Sequence, residues 1–280
     1  MITYQQVTKQ YGKITAVDGL DLEIQSAEFF GLLGPNGAGK TTIIRMTTAL
    51  TPVSSGTIAI DGELIHRDLT KTKQRIGVVP QYSNLESELT ARENLEYHGR
   101  LYGMPTAIRQ GRIAELLDFA ELTERADEKT NGYSGGMRRR LMIIKALIHN
   151  PDIIFLDEPT VGLDVAARRK IWDLLRAMNS NGLTIFLTTH YLEEAQALCQ
   201  RVGLIDQGKL IRVDTTAAII KEHGSYVLEY FQDGSTAYRF FHSRDEAIEA
   251  AKEINGVFQI RETNLEDAFI KLANRRIEDQ

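Results

Sequence analysis

Residues 29–42 read Phe29-Phe30-Gly31-Leu32-Leu33-Gly34-Pro35-Asn36-Gly37-Ala38-Gly39-Lys40-Thr41-Thr42. The first five residues are an unbroken apolar run, which suits a central strand covered on both faces. The next eight match G-x-x-x-x-G-K-[ST], and Thr41–Leu50 reads as a helix that Pro52 brings to an end. Strand, glycine-rich loop and helix in this order make a phosphate cradle. Glycines let the backbone turn so that successive N–H groups face phosphate oxygens, and the helix N-terminus adds its positive dipole end. Asn36, Gly37, Gly39, Lys40, Thr41 and Thr42 are therefore the expected nucleotide contacts. Lys40 is expected to reach the outer phosphates and the Thr41 hydroxyl to ligate magnesium.

Outward from this loop the pattern alternates between strand and helix. Ile2–Val7 and Leu20–Ile24 alternate apolar and polar residues like half-buried antiparallel strands. Thr57–Ile60, Asp61-Gly62 and Glu63–Ile65 carry a hairpin signal, and Arg75–Val79 reads as another strand. From about residue 89 to 150 the chain turns helical. Thr90 with Glu93 forms a capping box, Leu95 and Leu101 mark one apolar face, and Ile108, Ile113, Leu116 and Leu117 mark a second. Met137–Ile148 reads as a third helix, closed by Pro151. Ile153–Leu156 and Leu183–Leu187 return to strand around a helix from Asp164 to about Asn179. The fold class expected is α/β with parallel strands, an antiparallel β subdomain and a helical subdomain at about 89–150.

Near Gly224 the composition shifts. Tyr226–Phe231, Asp233-Gly234 and Thr236–Phe241 suggest a hairpin, and Ser243–Glu246 a capping box opening a helix through Ile254. Val257–Arg261 reads as a strand and Leu265–Leu272 as a last helix. The expected division is a main domain over 1–223 and a small α+β appendage over 224–280.

The chain has 280 residues, 42% hydrophobic and 25% charged, with net charge −5. That balance disfavours nucleic-acid binding, which calls for a basic surface to release counterions. The lone cysteine, Cys199, excludes an internal disulfide and reads as a small hydrophobe in a helix. The longest apolar stretches fall far short of the ~20 residues that cross a bilayer, and Met1–Tyr11 lacks the features of a signal peptide. The expectation is a cytoplasmic protein that would serve a membrane only by docking.

Ile153-Ile154-Phe155-Leu156-Asp157-Glu158 is an apolar strand ending in two carboxylates. Paired carboxylates beside a dry core call for a cation. Asp157 is placed to hold magnesium, and Glu158 to orient or deprotonate the attacking water.

With Tyr133-Ser134-Gly135-Gly136-Met137 before a helix, these segments resemble the motifs of ABC ATPases, in that family's order and over residues 1 to about 220. The resemblance implies a P-loop ATPase core that binds ATP and Mg2+. It implies that Ser134, Gly135 and Gly136 clamp the γ-phosphate of a nucleotide held by a second ATPase subunit, identical or paralogous, in a head-to-tail dimer with two composite sites. Gln81 resembles the glutamine that senses magnesium and the attacking water. His190 resembles the histidine that contacts the γ-phosphate. Gly162-Leu163-Asp164 resembles the segment that crosses the dimer interface, and Tyr11 stands where an aromatic stacks on adenine. The catalytic set so implied is Glu158, His190 and Gln81, and the metal set Thr41, Gln81 and Asp157.

Tyr133 and Met137 depart from the commonest signature, Leu-Ser-Gly-Gly-Gln, while the phosphate-contacting core survives. Tyr133 to Leu141 and the tail Asn264–Phe269 resemble the exporter branch typified by daunorubicin-resistance ATPases. The partner implied is a membrane permease on a separate chain, with its docking groove near Tyr82–Leu89. The run Arg138–Arg140 reads as a solvated helix start with some attraction for phosphate. Among rivals, a translation or repair ATPase would carry two cassettes or a long coiled coil, and neither pattern is present. A P-loop kinase or GTPase would not need Ser134-Gly135-Gly136 or His190. A subunit that binds without hydrolysing would not need Glu158 and His190.

Overall fold

The computed structural model describes residues 1–66, 70–222, 224–232, 234–254 and 256–269. They divide into two compact units: Met1–His190 with Gly203–Arg212, and Tyr191–Val202 with Val213 onward. The expected boundary at 224 falls inside the second unit.

In the first unit, β1 (Ile2–Tyr11) and β2 (Ile14–Ile24) form an antiparallel pair, and β4 (Ser55–Ile60) with β5 (Glu63–Leu64) completes a sheet of order β2-β1-β4-β5. Ile2 and Tyr4 are buried, as the alternation predicts, and Val7 is buried too because an irregularity in the strand between Tyr4 and Val7 shifts the register. The site, however, is positioned by a second sheet. It contains β3 (Phe29–Leu33), β6 (Ile76–Val79), β7 (Ile153–Asp157), β8 (Thr184–Thr189), β9 (Arg201–Asp206) and β10 (Lys209–Thr215), in the order β10-β9-β3-β8-β7-β6. Pairing is parallel between β3 and β8, β8 and β7, and β7 and β6. Every residue of β3, β7 and β8 is buried, which is why these strands read as continuous apolar runs. Phe186 packs against Phe30 and Phe155, with ring centroids 5.7 and 5.4 Å apart.

Helix α1 (Lys40–Thr47) follows β3 across the loop of residues 34–39 and stops five residues before Pro52. Backbone bonds from Leu50 and Thr51 to the Arg45 carbonyl finish it, so the proline lies outside the helix proper. After α2 (Thr70–Gln74), the helical segment holds α3 (Ala91–Leu101), α4 (Thr106–Phe119) and α5 (Gly135–Ala146). Thr90 and Glu93 cap α3 reciprocally, as expected. Leu95, Ile113, Leu116 and Leu117 are buried, but Leu101 and Ile108 are 65% and 62% exposed. The inward faces of α3 and α4 are narrower than those residues suggested, because both stand at helix ends beyond the contact stripe. In α6 (Val165–Ser180), Ile171, Leu174, Leu175 and Met178 face the core at helical spacing, and Trp172 is buried beside them.

The second unit contains α7 (Leu192–Leu198) and α8 (Thr216–Lys221). Its antiparallel sheet has the order β12-β11-β13, built from β11 (Tyr226–Gln232), β12 (Ser235–Phe241) and β13 (Phe258–Glu262), with α9 (Arg244–Ala251) packed on it. Ser243 caps α9 by accepting from Glu246 N. The Glu246 carboxylate reaches back to His242 N, one residue earlier than a strict capping box requires. Residues 265–269 are helical, and the rest of the expected last helix, like Asp233, lies outside the described residues. Asn264 and Asp267 cap that turn reciprocally at 2.9 Å, and Arg261 forks onto Asp267 at 2.6 and 2.8 Å. Cys199 is buried, as its hydrophobic reading requires, but it stands just past the end of α7 in extended conformation and not in a helix.

Candidate active site

Parallel pairing fixes what meets at the C-terminal edge of the second sheet. Leu33 lies opposite Thr189, Asp157 opposite Thr188, and Val79 opposite Leu156. The residues that follow these strand ends are the phosphate loop, His190, Glu158 and Gln81. Segments far apart in sequence thus converge where open α/β sheets bind ligands.

The loop is folded tightly around Lys40. Gly37 and Gly39 have φ of 83° and 106°, conformations that suit glycine, and a Cβ at Gly39 would lie 2.5 Å from Ala16 O. The Lys40 ammonium is buried and donates to Gly34 O at 2.7 Å and Pro35 O at 3.0 Å. Burial lowers its pKa below the ordinary lysine value, and Glu158 and Asp157 pull it back up. Helix α1 starts from Gly39 with no side-chain cap and no acidic residue in its first turn. Its first N–H groups are left for an anion.

Glu158 is the hub. Lys40 Nζ lies 3.5 Å from its Oε1, His190 Nδ1 lies 3.2 Å from the same oxygen, and Gln81 Nε2 donates to its Oε2 at 3.2 Å. The carboxylate is buried, and its backbone sits at φ 47°, a left-handed conformation that costs a non-glycine residue about 1 kcal/mol or more. A bond from Glu158 N to Thr188 O at 3.0 Å helps hold it there. Beside it, Asp157 accepts from Thr41 Oγ1 at 2.8 Å and from Thr188 Oγ1 at 2.6 Å. Thr41 and Asp157 therefore present hard oxygen atoms side by side, the donor type that suits Mg2+ held together with phosphate oxygens.

The remaining expected residues lie on other elements. Ser134 is exposed and caps α5, accepting from Met137 N at 3.2 Å. Gly135 is exposed at the same helix start, and a Cβ on Gly136 would lie 2.9 Å from Ala167 Cβ. Glycine there lets α5 approach α6 closely. Tyr133, in place of leucine, is buried and donates to Arg125 O at 2.5 Å, so the substitution is absorbed by packing. Asp164 is exposed and caps α6 through Ala167 N at 2.8 Å. The Tyr11 ring, at the end of β1, is 46% exposed with Lys9 Nζ 5.0 Å from its centroid.

One expectation is overturned. The run Arg138–Arg140 is not a solvated helix start: Arg139 is buried and bonds three main-chain carbonyls, Arg138 donates to Tyr133 O, and Arg140 donates to Ala120 O. A charge run at a helix start normally reads as solvated. The available signal was the position of Arg139 one turn inside an otherwise buried helix.

A phosphate cradle facing a buried carboxylate with glutamine and histidine at its oxygens defines a nucleotide-hydrolysing P-loop protein. The family profile described as ABC transporter matches residues 17–161. Over its whole length the chain is 41% identical to the Nod factor export ATP-binding protein I of Cupriavidus metallidurans, covering 99% of it. It is 43% identical to the linearmycin resistance ATP-binding protein LnrL of Bacillus subtilis, over 80% of this chain and 72% of that protein. Among solved structures, a dimeric ATP-binding cassette in a post-hydrolysis state with ADP and Pi superposes with a TM-score of 0.69. The identity is 33%, over 77% of this chain and 98% of the cassette. The chain belongs to the ATP-binding subunits of ABC transporters. It is an ATPase that powers transport.

Proposed function

We propose that Glu158 is the general base for ATP hydrolysis in a head-to-tail dimer that drives a separate permease. The observation that carries this reading is the convergence of Lys40, Gln81 and His190 on one buried carboxylate. Lys40 holds the outer phosphates, His190 contacts the γ-phosphate, and Gln81 orients water toward Glu158. Asn36, Gly37, Gly39 and Thr42 line the phosphates, and Tyr11 stacks on adenine with an exposed ring. Thr41, Asp157 and Gln81 would hold Mg2+, which neutralises charge on the β- and γ-phosphates when bound. Glu158 accepts the proton of the attacking water as the bond to the γ-phosphorus forms and the bond from that phosphorus to the β–γ bridging oxygen breaks, so that ADP leaves and phosphate is released.

Ser134, Gly135 and Gly136 at the α5 N-terminus engage the nucleotide of the second subunit, and Asp164 lies at the same interface. The solved cassettes similar to this chain include dimers, which supports a two-subunit assembly. The permease docks near Tyr82–Leu89, where Tyr82 is 81% exposed and Leu85 half-buried. Among the described residues no helix is long and apolar enough to cross a membrane. Membership of the ABC transporter ATP-binding subunits supports placing it at the cytoplasmic face, attached through its permease. The exporter reading is supported by relatives named for Nod factor export and linearmycin resistance. The segment from 224, which holds none of these residues, serves assembly and not chemistry.

Affinity purification from detergent-solubilised membranes tests the assignment. A stoichiometric integral membrane protein, released together with the subunit, is expected. Recovery with ribosomes and no membrane protein would contradict it.

A further inference from the structure

Arg139 lies on α5, five residues beyond Ser134, and is only 7% exposed. Its guanidinium donates to Pro80 O at 2.6 Å, to Asp157 O at 2.9 Å and to Pro159 O at 2.6 Å. These carbonyls are not scattered. Pro80 immediately precedes Gln81, and Asp157 and Pro159 bracket Glu158 in sequence. One planar fork thus joins the helix that begins at Ser134-Gly135-Gly136 to the main chain on which both water-facing side chains hang. Lys145, later on the same helix, donates to Asn84 O, so α5 also holds the far end of the segment 80–84.

We propose that Arg139 is the positioning residue that sets Glu158 and Gln81 relative to the signature turn. The inference rests on the reading of Glu158 and Gln81 given above. Glu158 occupies a left-handed backbone conformation that must be held by its surroundings, and fixing the carbonyls on either side of it does so. The consequence reaches beyond stability. When Ser134-Gly135-Gly136 closes on the partner's nucleotide, the movement of α5 passes through Arg139 to Glu158 and Gln81 in the subunit's own site. Each subunit's catalytic pair is thereby aligned by engagement of the other's nucleotide.

The test is steady-state kinetics of Arg139→Lys and Arg139→Met, with melting temperature and nucleotide affinity measured on the same preparations. Lysine keeps the charge but lacks the planar fork, and methionine keeps only volume. A small misplacement of reacting groups costs rate more than binding. Arg139→Lys is therefore expected to lose about tenfold in kcat and Arg139→Met about a hundredfold, with KM for ATP within about threefold of the parent. A role confined to fold stability would lower the melting temperature and leave kcat per folded molecule unchanged. A folded variant with parent kcat, or with its loss in KM alone, overturns the proposal. So does failure of both variants to fold at the assay temperature, which would make Arg139 a core residue. Glu158→Gln serves as control. If it still turns over, the reading of Glu158 fails whatever Arg139 does; if it is inactive and Arg139→Lys turns over like the parent, only the role of Arg139 fails.

Discussion

Thr41 Oγ1 donates a 2.8 Å hydrogen bond to Asp157 Oδ2, joining the first residue after the loop lysine to the end of a strand 116 residues later. The other carboxylate oxygen accepts from Thr188 at 2.6 Å, so Asp157 is held from the start of α1 and from the end of β8. Asparagine cannot accept in both positions, and it removes the negative charge beside a magnesium site. Asp157→Asn is expected to bind ATP in EDTA within about threefold of the parent. The gain in affinity on adding Mg2+ should fall about tenfold or more. Titration with a fluorescent ATP analogue, with and without Mg2+, checks this; an unchanged magnesium dependence would count against Asp157 as a metal-holding group.

Gly136 leaves no room for a side chain against Ala167. Gly136→Ala should cost about 1–3 kcal/mol through overpacking and tilt the α5 start away from its place. In a Glu158→Gln background the variant should dimerise poorly in ATP. The double change Gly136→Ala with Ala167→Gly restores the space and should recover most of the dimer. Equal dimerisation of all three, by size-exclusion chromatography, would separate signature geometry from assembly.

Histidine 98 offers a pH test. It is half-buried beside Tyr102 and His149, with ring centroids 5.2 and 6.4 Å away. Burial, with smaller contributions from Lys145 and His149, lowers its pKa to about 4. Between pH 6.5 and 4 the unfolded chain binds a proton here that the folded chain refuses. Stability from this group is complete above pH 6.5 and is lost as pH falls toward 4. His98→Asn should make the fall in melting temperature over that window shallower by a few degrees. Parallel curves for the two proteins would show that His98 stays solvated.

The reading of the sequence reached the site because its motifs sit where strands end, and parallel pairing then does the assembly. Leu33, Asp157 and Thr189 each close a buried apolar run, so the next residue was bound to face the same edge. What stayed out of reach depended on partners distant in sequence. The triple carbonyl clamp of Arg139 needs Pro80 and Pro159 to be brought beside α5, and helical position alone, which hints that Arg139 turns inward, does not name those partners. Leu101 and Ile108 fitted an apolar periodicity yet face outward, because which helix face is covered depends on neighbours and not on spacing alone. The backbone strain at Glu158 was likewise invisible, being imposed by the turn after β7.

Docking of the permease can be separated from hydrolysis. Tyr82 is exposed and directly follows Gln81. Tyr82→Asp and Leu85→Glu are expected to leave kcat of the isolated subunit within about twofold while reducing co-purification with the permease about tenfold, since helix-in-groove docking relies on apolar anchors. Loss of soluble protein for Leu85→Glu with normal behaviour of Tyr82→Asp would place Leu85 in the core.

The most direct test of the central claim is the mass of Glu158→Gln in ATP and Mg2+, by size-exclusion chromatography with light scattering, alongside its rate of phosphate release. The amide keeps the shape of the side chain and removes its basicity, so nucleotide is held between two subunits and not consumed. A stable species of twice the monomer mass, with turnover reduced to background, is the predicted result. A variant that stays monomeric with nucleotide bound, or that releases phosphate at the parent rate, would contradict the assignment of Glu158 as base in a composite two-subunit site.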